Sequence, residues 1–399
     1  MRSAAMVRPG IAKRARPETL RAKKPGTKPH VCFVAPYLWP VLARDPALPM
    51  VGGAEVQQAL LVRLLARAGH RVSVISLDFG QPDRAEVDGA VVHKTFRPEA
   101  GIPALRFLHP RLTSVWSALR EVDADIYYQR AAAMLTGVIA EFCRRHGKRS
   151  IYAGASDTDF MPGQQLIRLA RDRWLYRRGL RRVDRVVVQN RAQRLACLEH
   201  YGREAQLIPS AYELPAAHRA RTGPPEGARV LWVGTVQPGK RPELLLELAR
   251  RLPQRRFVMI GGAGHGGLLA PRGYFERVRD QAAALPNVEF KGFLPFEQAD
   301  AWFDHARVLI NTSRVEGMPN TFLQAWARGV PTLATVDVGS PVSMLCQEPS
   351  EAVSKLERLL ADDVHWHAQS SACRTYFERN HSPESVLAQY RQLLAEMTA

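Results

Sequence analysis

The chain has 399 residues, 46% of them hydrophobic and 24% charged, with a formal net charge of +18. That length exceeds one ordinary core and predicts two domains, and the composition excludes a disordered or fibrous chain. No apolar run approaches the ~20 residues that cross a bilayer, and no secretory apolar segment follows the basic start, so a cytoplasmic protein is expected.

Residues 1–28 hold nine Lys/Arg against Glu18 and show no apolar periodicity, which predicts a disordered basic tail of net charge +8. Such a tail suits contact with anionic lipid head groups, at about 1 kcal/mol per residue near the surface. An arginine-rich coding bias, or translation from Met6, would leave the same run. Residues 30–35 read as a buried strand, followed by a proline-rich loop through Pro36, Pro40, Pro46 and Pro49. Gly52-Gly53 then opens a helix with Val56, Leu60 and Leu64 on one face, and a strand at 71–76 completes a parallel-sheet unit. Strands at 90–95, 125–128, 149–153, 185–189 and 205–208 continue the series, with helices near 111–120 and 133–146 between them. Eight arginines fall between Arg168 and Arg185, where Leu166, Ala170 and Trp174 recur every fourth residue. That pattern predicts a helix packing on its apolar positions and showing its arginines to solvent, or to a membrane.

Residues 214–228 shift to Pro, Gly, Ala and Arg and read as a linker. A second series follows, with strands at 229–233, 256–260, 288–290, 307–311 and 331–335, and helices at 242–252, 274–284, 297–304 and 320–328. The predicted class is α/β, with two Rossmann-like doubly wound domains facing a cleft that the carboxyl ends of both sheets line. Five scattered cysteines, none in a C-x-x-C pair, argue against a disulfide framework or a zinc site.

Two segments carry chemistry. Val233 through Pro242 (VGTVQPGKRP) follows a strand, and its glycines allow close backbone approach. Pro242 suits the first turn of a helix, and Lys240 sits at the mouth of that helix. Free N–H groups, the helix dipole and a lysine together make an anion site, as a diphosphate requires. An ordinary strand-to-helix turn with a surface lysine has the same residues. Ile310 through Gln324 (INTSRVEGMPNTFLQ) runs from a strand end through a polar loop into a helix near Asn320. There Glu316 can accept from sugar hydroxyls, Gln324 can reach a ribose, and the N–H groups around 319–321 point at phosphate.

On these motifs the chain resembles a GT-B glycosyltransferase of family 4 from about residue 30 to 395. The likeness rests on Gly52-Gly53-Ala54-Glu55, Ile208-Pro209-Ser210, the Lys240 loop and the E-x7-E region that begins at Glu316. Within that family it is similar to bacterial surface-polysaccharide transferases with an EGxPNTFLQAWA stretch. The resemblance implies an acceptor domain at 29–213, a nucleotide-sugar donor domain at 229–383, and a last helix (384–399) crossing back to the first domain. It implies Lys240 on the diphosphate and Glu316 on the transferred sugar as the catalytic pair. Gly53, Gly234, Thr235, Arg241, Gly262, Gly317, Met318, Pro319, Asn320, Thr321 and Gln324 would line the donor. Glu55, Arg130, Asp157 and Asp159 would face the acceptor. The implied reaction retains anomeric configuration and uses no metal and no cofactor, because lysine and helix N-termini neutralise the diphosphate. The implied partners are a nucleotide-sugar donor and a saccharide or lipid-linked acceptor; contact with an anionic membrane on its inner face is the expectation that the basic tail carries.

The sequence departs from that pattern at named positions. Thr235 stands where the family usually has arginine, Gln324 replaces the second acid, and Tyr127-Tyr128-Gln129-Arg130 offers no first-domain histidine. The segment after Val338 is short. A degenerate binding protein and a nucleotide-sugar epimerase on the same scaffold therefore stay open as alternatives. Gly262 through Gly267 satisfies G-x-G-x-x-G with Glu289 beyond it, but Pro271 and Gly273 keep a helix from opening on that turn, which argues against a dinucleotide. Asp157-Thr158-Asp159 copies a D-x-D metal clamp, and reads as an acceptor-side or capping loop. No recognition helix or stacking platform supports nucleic-acid binding, despite the charge.

Overall fold

The computed structural model describes residues 28–44, 48, 52–102, 105–216, 218, 223–227, 229–263 and 271–399. The expected basic tail through residue 27, parts of the expected linker, and positions 264–267 of the glycine-rich turn lie outside the described residues.

The first sheet is built from β1 (Val31–Val34), α1 (Trp39–Ala43), α2 (Gly53–Arg67), β2 (Val72–Ser76), β3 (Ala85–Val87) and β4 (Ala90–Lys94). It continues with α3 (Thr113–Val122), β5 (Ile126–Arg130), α4 (Leu135–His146), β6 (Arg149–Ala153), α5 (Ala170–Leu180), β7 (Arg185–Val188), α6 (Arg191–Tyr201) and β8 (Gln206–Leu207). Its strand order is β3-β4-β2-β1-β5-β6-β7-β8, and only the short β3 runs antiparallel to its neighbour. The second sheet uses β9 (Arg229–Val233), α7 (Pro242–Arg251), β10 (Arg256–Ile260), α8 (Tyr274–Ala283), β11 (Val288–Gly292) and α9 (Phe296–Ala301). Then come β12 (Ala306–Asn311), α10 (Asn320–Ala327), β13 (Thr332–Ala334), β14 (Ser343–Leu345), α11 (Pro349–Ala361), α12 (Asp363–Asn380) and α13 (Pro383–Thr398). Its order, β11-β10-β9-β12-β13-β14, is parallel throughout.

Helices cover both faces of each sheet, so the central strands read as continuous apolar runs: every residue of β1 and of β12 is buried. In each sheet the chain reverses its direction of winding about one strand, β1 between β2 and β5, and β9 between β10 and β12. Crevices form outside the carboxyl ends at such points. The last helix, α13, leaves the second sheet and buries Val386, Tyr390, Leu393, Leu394 and Met397 in the core that α2 forms with β1.

The arginine-rich segment packs differently from its expected pattern. Leu166, Ala170 and Trp174 are exposed, the helix begins only at Ala170, and its inward face is Tyr176, Gly179 and Leu180. A Cβ added to Gly179 would lie 2.4 Å from Gly137 N, and one on Gly137 would lie 2.4 Å from Leu175 O. Backbone-to-backbone approach of α4 and α5 sets this crossing, which leaves no room for the apolar stripe that periodicity suggested.

The crossover between the sheets is polar and buried. His381 Nδ1 lies 2.7 Å from Ser210 O, and the Tyr212 amide donates to His381 O. Burial, partly offset by that hydrogen bond, lowers the His381 pKa to about 4. The unfolded imidazole titrates near 6.5, so above that pH both states are neutral. As pH falls from about 6.5 to about 4 the unfolded chain takes up the proton first, and stability drops by on the order of 3 kcal/mol. A His381→Asn variant, which keeps a donor for Ser210 O, should lose this component of acid sensitivity; unfolding midpoints of both proteins between pH 7 and pH 4 check it.

Candidate active site

At the end of β9 the chain turns sharply beside β10. Gly234 N donates to Ile260 O at 3.0 Å and Val236 N to Gly262 O at 2.9 Å, so Gly234 and Gly262 belong to adjoining loops. A Cβ on Gly261 would lie 1.9 Å from Gly234 O, so this approach excludes any larger residue. A single 3₁₀ turn, Pro238–Lys240, then delivers Lys240 ahead of α7, whose first residue is Pro242. Between them Arg241 holds a left-handed backbone (φ 45°), and its guanidinium donates to Thr312 O, Ser313 O and Thr335 Oγ1 at 2.7, 3.4 and 2.6 Å. Arg241 thus fastens the two loops to each other. Thr235 is exposed on the same turn.

The loop after β12 is tied to this one by further bonds. Arg314 N donates to Gly239 O at 2.9 Å, and Thr312 Oγ1 donates to Lys240 O at 2.6 Å while accepting from Trp232 Nε1. Across the junction Lys240 Nζ pairs with Glu316 Oε1. The same oxygen accepts from Asn311 Nδ2 at 3.1 Å and from Ser313 Oγ. Two expected catalytic side chains are therefore in direct contact, one on each loop.

Gly317, Met318 and Pro319 follow, all buried, and lead into α10 at Asn320. They meet the first domain. Met318 N donates to Gln189 Oε1 at 3.2 Å, and a Cβ on Gly317 would lie 3.1 Å from Gln193 Nε2 and 3.3 Å from Ala155 O. Gln193 and Asn190 in turn donate to Asp157 Oδ1 at 2.9 and 3.1 Å, which places Asp157 behind the Gly317 contact. The start of α10 also faces the start of α2: Asn320 Nδ2 donates to Gly53 O at 3.1 Å and Gln57 Nε2 donates to Asn320 Oδ1 at 2.9 Å. The starts of α2 and α10, each a positive dipole end, thus meet across the two domains through Asn320, four residues after Glu316. Thr321 lies in the first turn of α10.

Other expected site residues lie elsewhere or are already engaged. Gln324 is buried and its amide donates to Asp300 Oδ1 at 2.6 Å, inside a cluster with Arg328 and Tyr212. This bond engages its Nε2, the donor half of the amide, within the second domain. Asp159 is buried as the return half of a capping box, accepting from the Ala155 and Ser156 amides at 2.7 and 3.3 Å, so it faces no acceptor. Burial raises its pKa, against those two bonds. Glu55 folds back over Gly52 and accepts from its own amide; burial raises its pKa, opposed by that bond and by the charge of Arg130. Arg130, at the end of β5, donates to Ser210 Oγ at 3.1 Å. One residue earlier on the same strand, Gln129 donates to the Arg130 and Ala131 carbonyls and accepts from Thr136 Oγ1.

Sequence reasoning missed Gln57, Gln189, Gln193, Asn311 and Ser313. Asn311 and Ser313 stood inside the quoted loop, five and three residues before Glu316, and their polarity at a strand end was the available signal. Gln189 and Asn190 likewise close a strand on polar residues. Gln57, one of two buried glutamines on a largely apolar α2, offered only its type. Among the described residues no group of three His, Cys, Asp or Glu is placed to hold a metal ion.

Residues 51–214 match the family model described as Glycosyltransferase Family 4, and residues 227–362 the one described as Glycosyl transferases group 1. The fold matches sucrose-phosphate synthase from Thermosynechococcus elongatus at a TM-score of 0.72 and 19% identity, over 93% of this chain and 99% of that one. The chain belongs to the GT-B glycosyltransferases. HepE of Anabaena, solved in complex with UDP and glucose, also matches this glycosyltransferase, at a TM-score of 0.68 and 15% identity, over 92% of this chain and all of that one. By sequence it is 29% identical over 198 residues to the D-inositol 3-phosphate glycosyltransferase of Mycobacterium leprae (strain Br4923), a span of 46% of each chain. The match thus spans about half the length of that curated relative.

The packing of the lysine loop yields a direct prediction. Gly261→Ala should cost about 1–3 kcal/mol, as overpacking does, because a methyl cannot fit against Gly234 O. Denaturant unfolding with an unchanged m-value would show that loss, and a midpoint like that of the parent protein would contradict the loop geometry.

Proposed function

We propose that this glycosyltransferase moves a sugar from a nucleotide-diphosphate sugar to a hydroxyl of a saccharide or lipid-linked acceptor held on the first domain, with retention of configuration and without a metal. The reading is supported above all by the Lys240–Glu316 pair, whose second loop leads into α10, where the starts of two helices meet. A diphosphate needs positive charge and N–H donors, and a sugar needs a carboxylate to accept from its hydroxyls. Among the described residues the three bonds that hold Glu316 fall on Oε1, which leaves Oε2 for a sugar hydroxyl. On donor binding Lys240 would exchange its carboxylate partner for the diphosphate.

In the proposed step the bond from the sugar's anomeric carbon to the phosphate oxygen breaks, with its electron pair passing to phosphate. The acceptor oxygen bonds to that carbon on the same face, and its proton goes to a diphosphate oxygen. Charge stabilisation of the leaving group and positioning of the hydroxyl then supply the catalysis. Arg241 is committed to backbone carbonyls, so Lys240 carries the leaving-group charge in place of the arginine missing at Thr235. A role in surface-polysaccharide or glycoconjugate synthesis is in keeping with the sequence likeness at 316–327.

Lys240→Ala should keep the fold, since Arg241, Arg314 and Thr312 still join the loops, and should lower transfer from a radiolabelled donor by at least about a hundredfold. Slow donor hydrolysis should fall with it. Near-normal turnover would remove Lys240 from the mechanism, and hydrolysis absent even in the parent protein would favour a binding protein without catalysis.

A further inference from the structure

Two buried glutamines lie between β7 and the first turns of α6, and their amides are tied in a fixed order. Gln189, the residue after β7, is 5% exposed and donates Nε2 to Gly154 O at 2.9 Å, just past the end of β6. A carbonyl can only accept, so this bond settles which way the amide faces and turns Oε1 the other way. There Oε1 accepts from Met318 N at 3.2 Å, across the domain boundary. Gln193 is locked in the same manner: its Oε1 accepts from Gln189 N at 2.9 Å and its Nε2 donates to Asp157 Oδ1 at 2.9 Å. Neither amide can flip without setting like groups against each other.

The Met318 amide belongs to the loop that carries Glu316, two residues further along. Gly317, between them, lies flush on the same glutamines: a Cβ there would be 3.1 Å from Gln193 Nε2 and 3.4 Å from Gln189 Oε1. The first domain thus grips the backbone that joins Glu316 to α10. A second grip follows at Asn320, where Gln57 clasps the Ala211 backbone with both halves of its amide and donates to Asn320 Oδ1. The two have different anchors. Gln57 ties α10 to the crossover, whereas Gln189 ties the Glu316 loop to the carboxyl ends of β6 and β7, on the side of the first sheet where ligands of such folds lie.

We propose that Gln189 is a positioning residue for sugar transfer: by accepting from Met318 N it fixes the Glu316–Gly317 backbone, and with it the sugar that Glu316 holds, against the first domain. This role rests on the transfer reading given above. A buried N–H that loses its acceptor carries a penalty, which the loop relieves by shifting toward another partner. A displacement of about 1 Å at a reacting group can lower a rate by about a hundredfold. The diphosphate site is held separately, because Arg241 and Thr312 fasten the Lys240 turn without using Met318 or Gln189. Loss of Gln189 therefore separates the reacting sugar from the binding of its leaving group. The opposite role, in which Gln189 covers an N–H that the sugar needs, predicts faster turnover without it.

Gln189→Met keeps the length of the side chain and removes both of its amide bonds. With UDP-, GDP-, ADP- and dTDP-glucose as probes, hydrolysis of whichever the parent turns over should fall at least about tenfold in kcat, with KM within about twofold. The unfolding-midpoint shift given by the matching free diphosphate should equal the parent's. Gln189→Glu gives a second check, because the introduced carboxyl can donate to Gly154 O only while it keeps its proton. Asp157, Asp159 and Glu316 bring negative charge to the same network, and the nearby cation, Lys240, is paired with Glu316. Burial and those carboxylates favour the protonated form, so kcat of Gln189→Glu relative to the parent should rise as pH falls from about 8 to about 6. Parent-like or faster hydrolysis by Gln189→Met overturns the role, and so does an equal loss of kcat and of the diphosphate shift, which would make Gln189 a support of the fold alone. A parent protein that hydrolyses none of the probes and is stabilised by no diphosphate overturns the transfer reading, and this role with it.

Discussion

An ammonium and a carboxylate 76 residues apart in the chain meet at the base of the second domain's cleft, and most of the site is arranged to bring them there. Neither loop could hold its half alone. The first turns out of β9 only because Gly261 lets Gly234 approach, and the second is anchored because Arg241 clasps its carbonyls. Side chains of that length gain little from an exposed ion pair. Here the pair is half-buried, backed by Asn311 and Ser313, and continuous with the backbone ties between loops, so its geometry is set by the fold.

The same constraint extends to the first domain. Gly317 fits against Gln193 and Ala155 because it has no side chain, and Asn320 bridges to Gly53 and Gln57. These contacts set the two helix starts against each other next to the carboxylate-bearing loop through uncharged groups. A buried ionic cluster of Arg328, Asp300 and Tyr212, with His381 beside Ser210, fixes the crossover where the chain passes between domains. Breaking such a cluster leaves an uncompensated buried charge, which costs far more than the intact cluster contributes. The crossover is thus specified as strongly as either core.

Much of the scaffold was legible in the residues. Apolar runs at 31–34, 229–233 and 306–311 are parallel-sheet strands buried on both faces, and Pro242 and Gly53 mark helix starts by their own backbone chemistry. Lys240 and Glu316 could be singled out because each follows a strand end in a polar loop. Gln324 could not be placed, because its partner Asp300 lies on another element and hydrogen-bond partners have no periodic signal. Asp159 was open between acceptor and cap for a similar reason: only the backbone around Ser156 shows that it caps its own turn. The arginine-rich helix misled in a physical way. Its packing depends on Gly137 and Gly179 permitting backbone contact, and glycine adds nothing to an apolar stripe.

In the proposed reaction Lys240 and the two helix starts hold the pyrophosphate group while Glu316 holds the sugar. Thermal unfolding of the parent protein and of Lys240→Ala with UDP, GDP, ADP and dTDP, each as the free diphosphate and as its sugar conjugate, tests this most directly. One base class should raise the parent midpoint, by ligand linkage to the folded state, and the variant should lose most of that shift. Equal stabilisation of both proteins, or none of the parent by any of these ligands, would contradict it.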